Sequence, residues 1–500
     1  MNVAFDPWIP VVTEKGENRL VSLCSIFTEG KRFSDLSVRP HERVSLMRLF
    51  LCVAHAALNG PKDFDEWKAV PDQLDKAAAE YLEKWKDSFE LFHPTKPWLQ
   101  VENLKPSGEG PDKYTPVSKL DFSLGVSLTN HFQNNVVKMF SNAQLALGIL
   151  TLQNFSTCGL LSMPIWENSQ TAKSANDAPC ISSSVYHVFI IRENLYETIC
   201  VNICDFHELS FLYGNKIDFQ GKPIWEYSTI SRKDDFITKT FLGRLVPLSR
   251  AILLKEGSPF MLYGEALKYP SFPAFPREFN TSEIKRTIKK KEINVLVGAK
   301  LGIRPWRQLN GILQYDLKDS LEARAAINLG HCRDEPIDIW VGTLVRNPGK
   351  QDILDTVESR FHVSNKLRSQ EGCSAYTAGT ESAYILSKKL DLSVYIYRTK
   401  LDPSENTGIG IVALTYYWTA VEKNLSLLFS CIEKLGSNEF EQTEKVWHNM
   451  LFSAACDAYR TACGQETPRE IKAFAAGWQK LTAKKEQKEH DETNKEDDDE

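Results

Sequence analysis

The residues best suited to chemistry in this chain form a short polar run, Arg-Asn-Pro-Gly-Lys-Gln at 346–351, which follows an apolar, strand-like stretch. Proline at the second turn position presets φ, and glycine at the third accepts a positive φ, so the pattern predicts a type II turn over 347–350. Such a turn exposes Arg346, Lys350 and Gln351, and two cations with an amide suit phosphates and base edges. These residues alone leave open an ordinary solvated surface turn.

Two other loops contain residue types that suit nucleic acid. The first is Leu-Thr-Asn-His-Phe-Gln-Asn-Asn at 128–135, in which Phe132 could stack on an unpaired base or, alternatively, fill the core. The second is 153–160, where the small Gly159 would let the backbone approach the floor of a groove.

The spacings of common catalytic and metal sites are missing. The ten histidines form no His-x-x-x-His pair, and the eleven cysteines form no Cys-x-x-Cys pair. Gly349-Lys350-Gln351 lacks the upstream glycine and the Ser or Thr of a phosphate-binding loop. We therefore predict a recognition protein without catalytic residues, metal ion or cofactor. An enzyme with an unrecognised active site is the alternative from another class.

Composition predicts a protein that acts inside a larger assembly. The 500 residues are 42% hydrophobic with a net charge of −5, and the four Lys and nine acids of 484–500 account for that net charge. The body is therefore close to neutral, and nucleic-acid contacts must come from local basic patches such as Lys285–Lys291, for which a solvated helix face is the alternative. The first residues do not resemble a signal peptide, and the apolar runs are too short to cross a membrane, so a cytoplasmic protein is expected.

Periodicity predicts an α+β fold with two domains. A large mixed α/β domain over 1–350, which includes an amphipathic helix at 40–58, carries the loops described above. A C-terminal antiparallel four-helix-type bundle follows over 351–485, and the charged tail 486–500 is expected to be disordered. Helical spacing in this second half is found at 353–369, 377–399, 409–435, 440–463 and 467–485.

Several segments, taken in order, resemble one family. The matching segments are Phe5–Val11, Leu20–Leu23, His93–Gln100, Ser118–Leu120 with Thr129–Phe132, Leu150–Gln153, Arg304–Trp306 and Gly342–Gln351. Together they are similar to the large subunit of the type I-E CRISPR Cascade complex, the CasA family, over about 1–480 of this chain. Order and spacing carry the resemblance more than any one motif.

The resemblance implies a non-catalytic subunit that reads the protospacer-adjacent motif (PAM) in double-stranded target DNA and starts R-loop formation. Gln351 would be the wedge at the first target base pair, while Asn130, His131 and Phe132 would touch the handle of the guide RNA. The implied partners are the other Cascade subunits, the guide RNA, the target duplex, the displaced strand held by the bundle, and a recruited helicase–nuclease.

The chain departs from the family pattern at two places. The glycine-rich loop is represented only by Gly159, which is followed by Leu-Leu-Ser-Met-Pro. The PAM-contacting lysine corresponds to Lys255 or to Lys350, beside the wedge, and Arg346 and Asn347 are expected to contact the same DNA. An architectural capping subunit of the same complex, without strict PAM reading, therefore stays open.

Overall fold

The computed structural model describes residues 1–122, 139–214, 219–288, 290–313, 331–332, 335–347, 350, 352–402 and 408–483. The chain divides into two compact units, Met1–Arg368 and Ser369–Glu500. The predicted domain boundary at 350/351 lies eighteen residues before this division. The predicted disordered tail lies outside the described residues.

The first unit is built around one buried helix. The predicted helix at 40–58 is confirmed as Pro40–Leu58, and every residue from Pro40 to His55 is buried. A helix that is buried on all sides needs partners all around it, and here helices and strands of the same unit surround it. The helices of this unit are α1 Leu23–Thr28, α2 Pro40–Leu58, α3 Phe64–Lys84, α4 Asn142–Phe155, α5 Leu195–Asn202, α6 Phe206–Tyr213, α7 Phe241–Leu245 and α8 Leu309–Leu313.

Short antiparallel strands make up the sheets of the first unit. They are β1 Ile9–Thr13, β2 Asn18–Val21, β3 Phe33–Leu36, β4 Thr115–Pro116, β5 Gly159–Leu160, β6 Ile165–Trp166, β7 Ser169–Gln170, β8 Ser174–Ala175, β9 His187–Ile191, β10 Arg250–Leu254, β11 Phe260–Glu265, β12 Glu283–Ile288, β13 Lys291–Leu296, β14 Ile337–Arg346 and β15 Ile353–Val363. Three of the sheets have the orders β2-β1-β3, β10-β11-β4 and β15-β14-β9.

The longest hairpin of the chain as described joins β14 to β15 and positions the polar run at 346–351. Its register pairs Ile337 with Val363 and Val345 with Asp355, and a bulge lies between Val345 and Arg346. β14 also pairs with β9 on its other side, so the hairpin extends from a three-stranded sheet. The pairing with β9 covers Asp338–Gly342, the half of β14 farther from the turn, and the ladder with β15 continues to Arg346 beside the turn.

The predicted helix at 353–369 is wrong, because its first eleven residues form strand β15. Ile353, Val357 and Phe361 recur every fourth residue, a spacing that is compatible with one face of a helix and also with one face of a strand. The pairing with β14 decides between the two structures. This strand also explains why the first unit extends beyond the predicted boundary.

The second unit is a helical bundle, as predicted. Its helices are α9 Gln370–Leu401, α10 Ile409–Lys423, α11 Leu425–Glu433, α12 Phe440–Ala462 and α13 Pro468–Thr482. The hydroxyl of Tyr417 donates to the carbonyl of Ala383 (2.8 Å), and Lys389 Nζ donates to that of Ala483 (2.7 Å). Farther along α9, the carbonyl of Leu401 accepts from Arg469, so α13 runs antiparallel to α9, and the approach of Gly410 to Asp391 gives α10 the same direction. The bonds Trp447 to Gly379 and Tyr397 to Gly464 make α12 parallel to α9, so the four long helices have an up-down-up-down arrangement.

One smaller expectation is corrected in the first unit. The basic residues Lys285, Arg286, Lys290 and Lys291 lie on the β12–β13 hairpin instead of a helix, with Lys290 at φ +65° in its turn. Helix α3 begins at Phe64, where the carboxylate of Asp63 accepts the backbone N–H groups of Asp65 and Glu66. Within the described residues, no helix is both long and apolar enough to cross a membrane.

Candidate nucleic-acid interface

The turn predicted at 347–350 lies at the tip of the β14–β15 hairpin. The backbone N–H of Lys350 donates to the carbonyl of Asn347 (3.0 Å), which closes a four-residue turn. The N–H of Asn347 donates in turn to the carbonyl of Asp352 (2.9 Å). Lys350 is exposed, whereas Gln351, together with the central residues of the turn, lies outside the described residues. The hairpin therefore exposes Lys350 on a turn that two backbone hydrogen bonds close.

Arg346 occupies a different environment from Lys350. Its side chain is 10% exposed and forms an ion pair with Asp177. Its backbone N–H donates to the Ser184 hydroxyl (3.0 Å). A guanidinium that is held in this way fixes the base of the hairpin, so Arg346 is placed to position the turn rather than to touch a ligand at its tip.

Gly159 lies in a narrow arm, the β5–β8 pair, in which Gly159 pairs with Ala175 and Leu160 with Ser174. Its φ of +145° lies in the region that favours glycine. The next residue, Leu160, is 69% exposed, although it is large and apolar. The arm thus presents a bare backbone and one apolar side chain to solvent.

Asp177 contacts both the arm and Arg346, the last residue of β14 before the turn. The carboxylate oxygen Oδ1 of Asp177 accepts the backbone N–H of Cys158 (2.8 Å), directly before Gly159, and the same carboxylate pairs with Arg346. Sequence reasoning predicted both Gly159 and the 346–351 turn as contacts for one ligand. The structure brings their bases together through a residue that was not among the predictions.

Arg250 holds the two chain segments at the start of the arm. This buried residue, at the start of β10, donates from Nη2 to the carbonyls of Thr157 (2.9 Å) and Asn176 (2.7 Å). These carbonyls precede Cys158 and Asp177, so one guanidinium holds both sides of the arm. No local motif marks either Arg250 or Asp177. The available signal was a lone arginine that starts an apolar strand run, Ala-Ile-Leu-Leu.

Lys255 lies in the turn between β10 and β11, where it is exposed. The N–H of Ser258 donates to the carbonyl of Lys255 (3.0 Å), and Gly257 has a φ of +69°. The segment that follows β5 of the arm contacts the β10-β11-β4 sheet. The Ser162 and Thr115 hydroxyls are 3.0 Å apart, and Thr115 pairs with Met261 on β11. Lys255 therefore projects from the sheet on which the arm lies, separate from the hairpin tip.

The other predicted site residues divide into two groups. Asn130, His131 and Phe132 lie outside the described residues. Lys285, Arg286, Lys290 and Lys291 are exposed on the β12–β13 hairpin, where they form a basic surface.

Glu278 is a buried carboxyl in the first unit. Glu278 receives hydrogen bonds from Arg48 (3.0 Å) and from Nε of Arg244 (2.9 Å). Burial opposes ionisation of this carboxyl, but the two guanidinium groups outweigh burial and hold its pKa below the usual value. Among the described residues, no group of three or more His, Cys, Asp or Glu side chains could hold a metal ion.

Solved structures share this architecture of a mixed α/β unit and a helical bundle. The structure of Thermus thermophilus CasA (Cse1) is 22% identical, with a TM-score of 0.73, over 96% of this chain and 99% of that chain. Thermobifida fusca Cse1 is 17% identical, with a TM-score of 0.74, over 96% and 98% of the two chains. A chain of a CRISPR RNA-guided surveillance complex is 15% identical, with a TM-score of 0.73, over 97% and 99%. The fold is therefore that of the Cse1 proteins.

Sequence comparison gives the family. A curated CasA/Cse1 protein of Thermus thermophilus is 29% identical over 230 residues, which span 45% of this chain and 42% of that relative. The family model for the CRISPR-associated protein Cse1 matches residues 2–458. The chain belongs to the Cse1 family, and the resemblance inferred from the ordered segments is confirmed.

Proposed function

We propose that this chain is the large subunit of a CRISPR surveillance complex, in which it recognises the PAM in duplex DNA and begins to open the target. Family membership supports the assembly, because one structure of the same fold belongs to a CRISPR RNA-guided surveillance complex. The near-neutral body of the chain fits a protein that shares its affinity for nucleic acid with other subunits and a guide RNA.

The observation that carries the proposal is the convergence of the Gly159 arm and the 346–351 turn on Asp177. A groove reader needs a backbone that can approach the base edges and, beside it, side chains that reach phosphate or enter the stack. Gly159 supplies the first requirement, and Lys350 with Gln351 supplies the second. Because the Asp177 carboxylate holds both loops, one loop can approach the base edges while the other contacts a phosphate or enters the base stack.

We assign individual roles to the residues of this interface. Lys350 contacts a phosphate near the opened base pair, and Asn347, at the start of the same turn, contacts the neighbouring sugar or base edge. Gln351 is the wedge, which unstacks one step at a cost of about a few kcal/mol that wider contacts regain. Lys255 binds the DNA backbone from the β10–β11 turn, away from the wedge. Arg346 positions the turn through its ion pair with Asp177.

The remaining partners are assigned to other parts of the chain. Asn130, His131 and Phe132 contact the handle of the guide RNA and hold the subunit in the complex. The bundle of α9–α13 holds the displaced single strand and helps to recruit the helicase–nuclease. The chain itself is non-catalytic, acts without a cofactor, and works in the cytoplasm.

The test compares two forms of one target in a reconstituted complex. Lys350→Ala with Gln351→Ala should lower the association constant for the PAM-containing duplex by about tenfold or more, which corresponds to at least 1.4 kcal/mol. Binding of the complementary single strand should stay within about twofold, because an unpaired target needs no wedge. Asp338→Ala is the matched control: it lies at the opposite end of the same hairpin, in an exposed pair with His362. Equal loss on both targets would contradict the proposal.

A further inference from the structure

The link between the arm and the hairpin is one partly buried ion pair. Asp177 is 24% exposed and Arg346 is 10% exposed, so water screens the pair only in part. The Asp177 carboxylate has a second duty, since it also accepts the N–H of Cys158 at 2.8 Å. A single side chain therefore restrains the residue before Gly159 and the residue before the polar turn.

The neighbouring contacts leave Asp177 little freedom to move. Nη2 of Arg250 donates to the carbonyl of Asn176, and the N–H of Ala178 donates to the carbonyl of Ser156 (2.8 Å). The residues on both sides of Asp177 are thus bonded to the opposite side of the arm or to the sheet below it. Because its backbone is fixed, the carboxylate acts as a rigid spacer between Cys158 and Arg346.

The hairpin would keep its pairing without this spacer. β14 bonds to β15 along its whole length and to β9 at Asp338–Gly342, and Asp177 is not part of either ladder. Arg346, however, follows the bulge at Val345, where regular pairing is interrupted and the strand direction can change. Near the turn, the ion pair of Arg346 with Asp177 and the bond from its backbone N–H to the Ser184 hydroxyl therefore hold the turn relative to the arm.

We propose that Asp177 is a positioning residue, which sets the separation between the Gly159 backbone and Lys350 in the turn so that both engage one duplex at once. This inference rests on the proposed reading of the PAM by these two loops. Asp177 itself does not touch the DNA. It holds the two DNA-contacting loops in place before binding. Without it, both loops are still present, but ordering them lowers the affinity for the duplex.

The experiment is a double-mutant cycle in the reconstituted complex. Asp177→Asn keeps an acceptor for Cys158 and removes the ion pair, and Arg346→Gln removes the same pair from the other side. Each should lower the association constant for the PAM duplex by about tenfold, and the double variant should lose no more than about threefold beyond either one, because the residues act as a unit. Single-strand binding should be unchanged, and co-purification of each variant subunit with the complex shows that it has folded and assembled.

Three results would overturn the positioning role. They are unchanged duplex binding in Asp177→Asn, an additive loss in the double variant, and an equal loss on duplex and single strand. The variant Lys350→Ala/Gln351→Ala, measured beside them, separates the two hypotheses. If it loses the duplex selectively while Asp177→Asn does not, only the positioning role is wrong. If it keeps the duplex, the proposed function itself fails.

Discussion

Arg346 illustrates what a single residue's sequence context can and cannot predict. Its place at the end of an apolar strand run, next to Asn-Pro-Gly, correctly predicted a turn at 347–350, and the hydrogen bond from Lys350 to Asn347 is the contact expected of such a turn. The same context predicted an exposed cation. The structure instead pairs Arg346 with Asp177, and no local pattern reveals that partner because it lies far away in the chain.

At the same scale, Gly159 should be intolerant of any side chain. A residue with a Cβ at φ +145° is strained by about 1–3 kcal/mol, so Gly159→Ala should loosen the arm. Hydrogen exchange of a peptide covering 156–162 should become faster in this variant. Leu160→Ala, at the exposed neighbouring position, should leave exchange as in the wild type. Unchanged exchange in Gly159→Ala would show that the arm does not depend on glycine.

Strand β15 shows why one element was assigned wrongly. Its apolar residues recur every fourth position, and such a pattern fits a helix and a strand equally well. Tertiary pairing with β14 makes the choice, and pairing partners are not visible in the spacing of one segment. By contrast, α2 was predicted correctly, and the helical segments predicted at 377–399, 440–463 and 467–485 each coincide with one bundle helix, while that at 409–435 divides into α10 and α11.

The same hairpin contains a glycine with no room for a side chain. A Cβ on Gly342 would overlap the ring of Trp340, which is buried and donates from Nε1 to Glu358 at 3.0 Å. Gly342→Ala should therefore lower the free energy of unfolding by about 1–3 kcal/mol, the usual cost of overpacking. Chemical denaturation measures this change, with Asp338→Ala on the same strand expected within about 0.5 kcal/mol of the wild type. A Gly342→Ala protein as stable as the wild type would contradict the packing described.

For the whole molecule, sequence reasoning predicted the class of fold and the family, but not the extent of the first unit. The mixed α/β unit and the bundle were visible because periodicity changes along the chain. The division at 368/369 depends on the β14–β15 pairing and was therefore missed. The convergence of the arm and the turn is also a property of the complete fold, since it joins segments that no window of sequence contains.

The core of the first unit should lose stability in mild acid. Burial lowers the pKa of His41 and His55 to about 3 and that of His187 to about 4, from 6.5. Unfolded chains bind these protons more readily, so the stability is complete above pH 6.5 and falls below it, by about 1.4 kcal/mol per histidine for each pH unit. Hydrogen exchange of α2 peptides, corrected for its intrinsic pH dependence, should show weaker protection at pH 5.5 than at 7.5. Equal protection at both values would mean that these histidines are not held neutral in the fold.

The most direct test of the central claim is a photocrosslink from the hairpin tip. With p-azidophenylalanine at position 350, the reconstituted complex should crosslink to target DNA at the junction of the PAM and the first target base pair. The same probe at position 338, which lies about 26 Å from Arg346 at the turn end of β14 at 3.3 Å per residue, should give no such product. Crosslinks from position 350 only to protein or guide RNA would contradict the account, because they would place the tip away from the duplex that it is proposed to open.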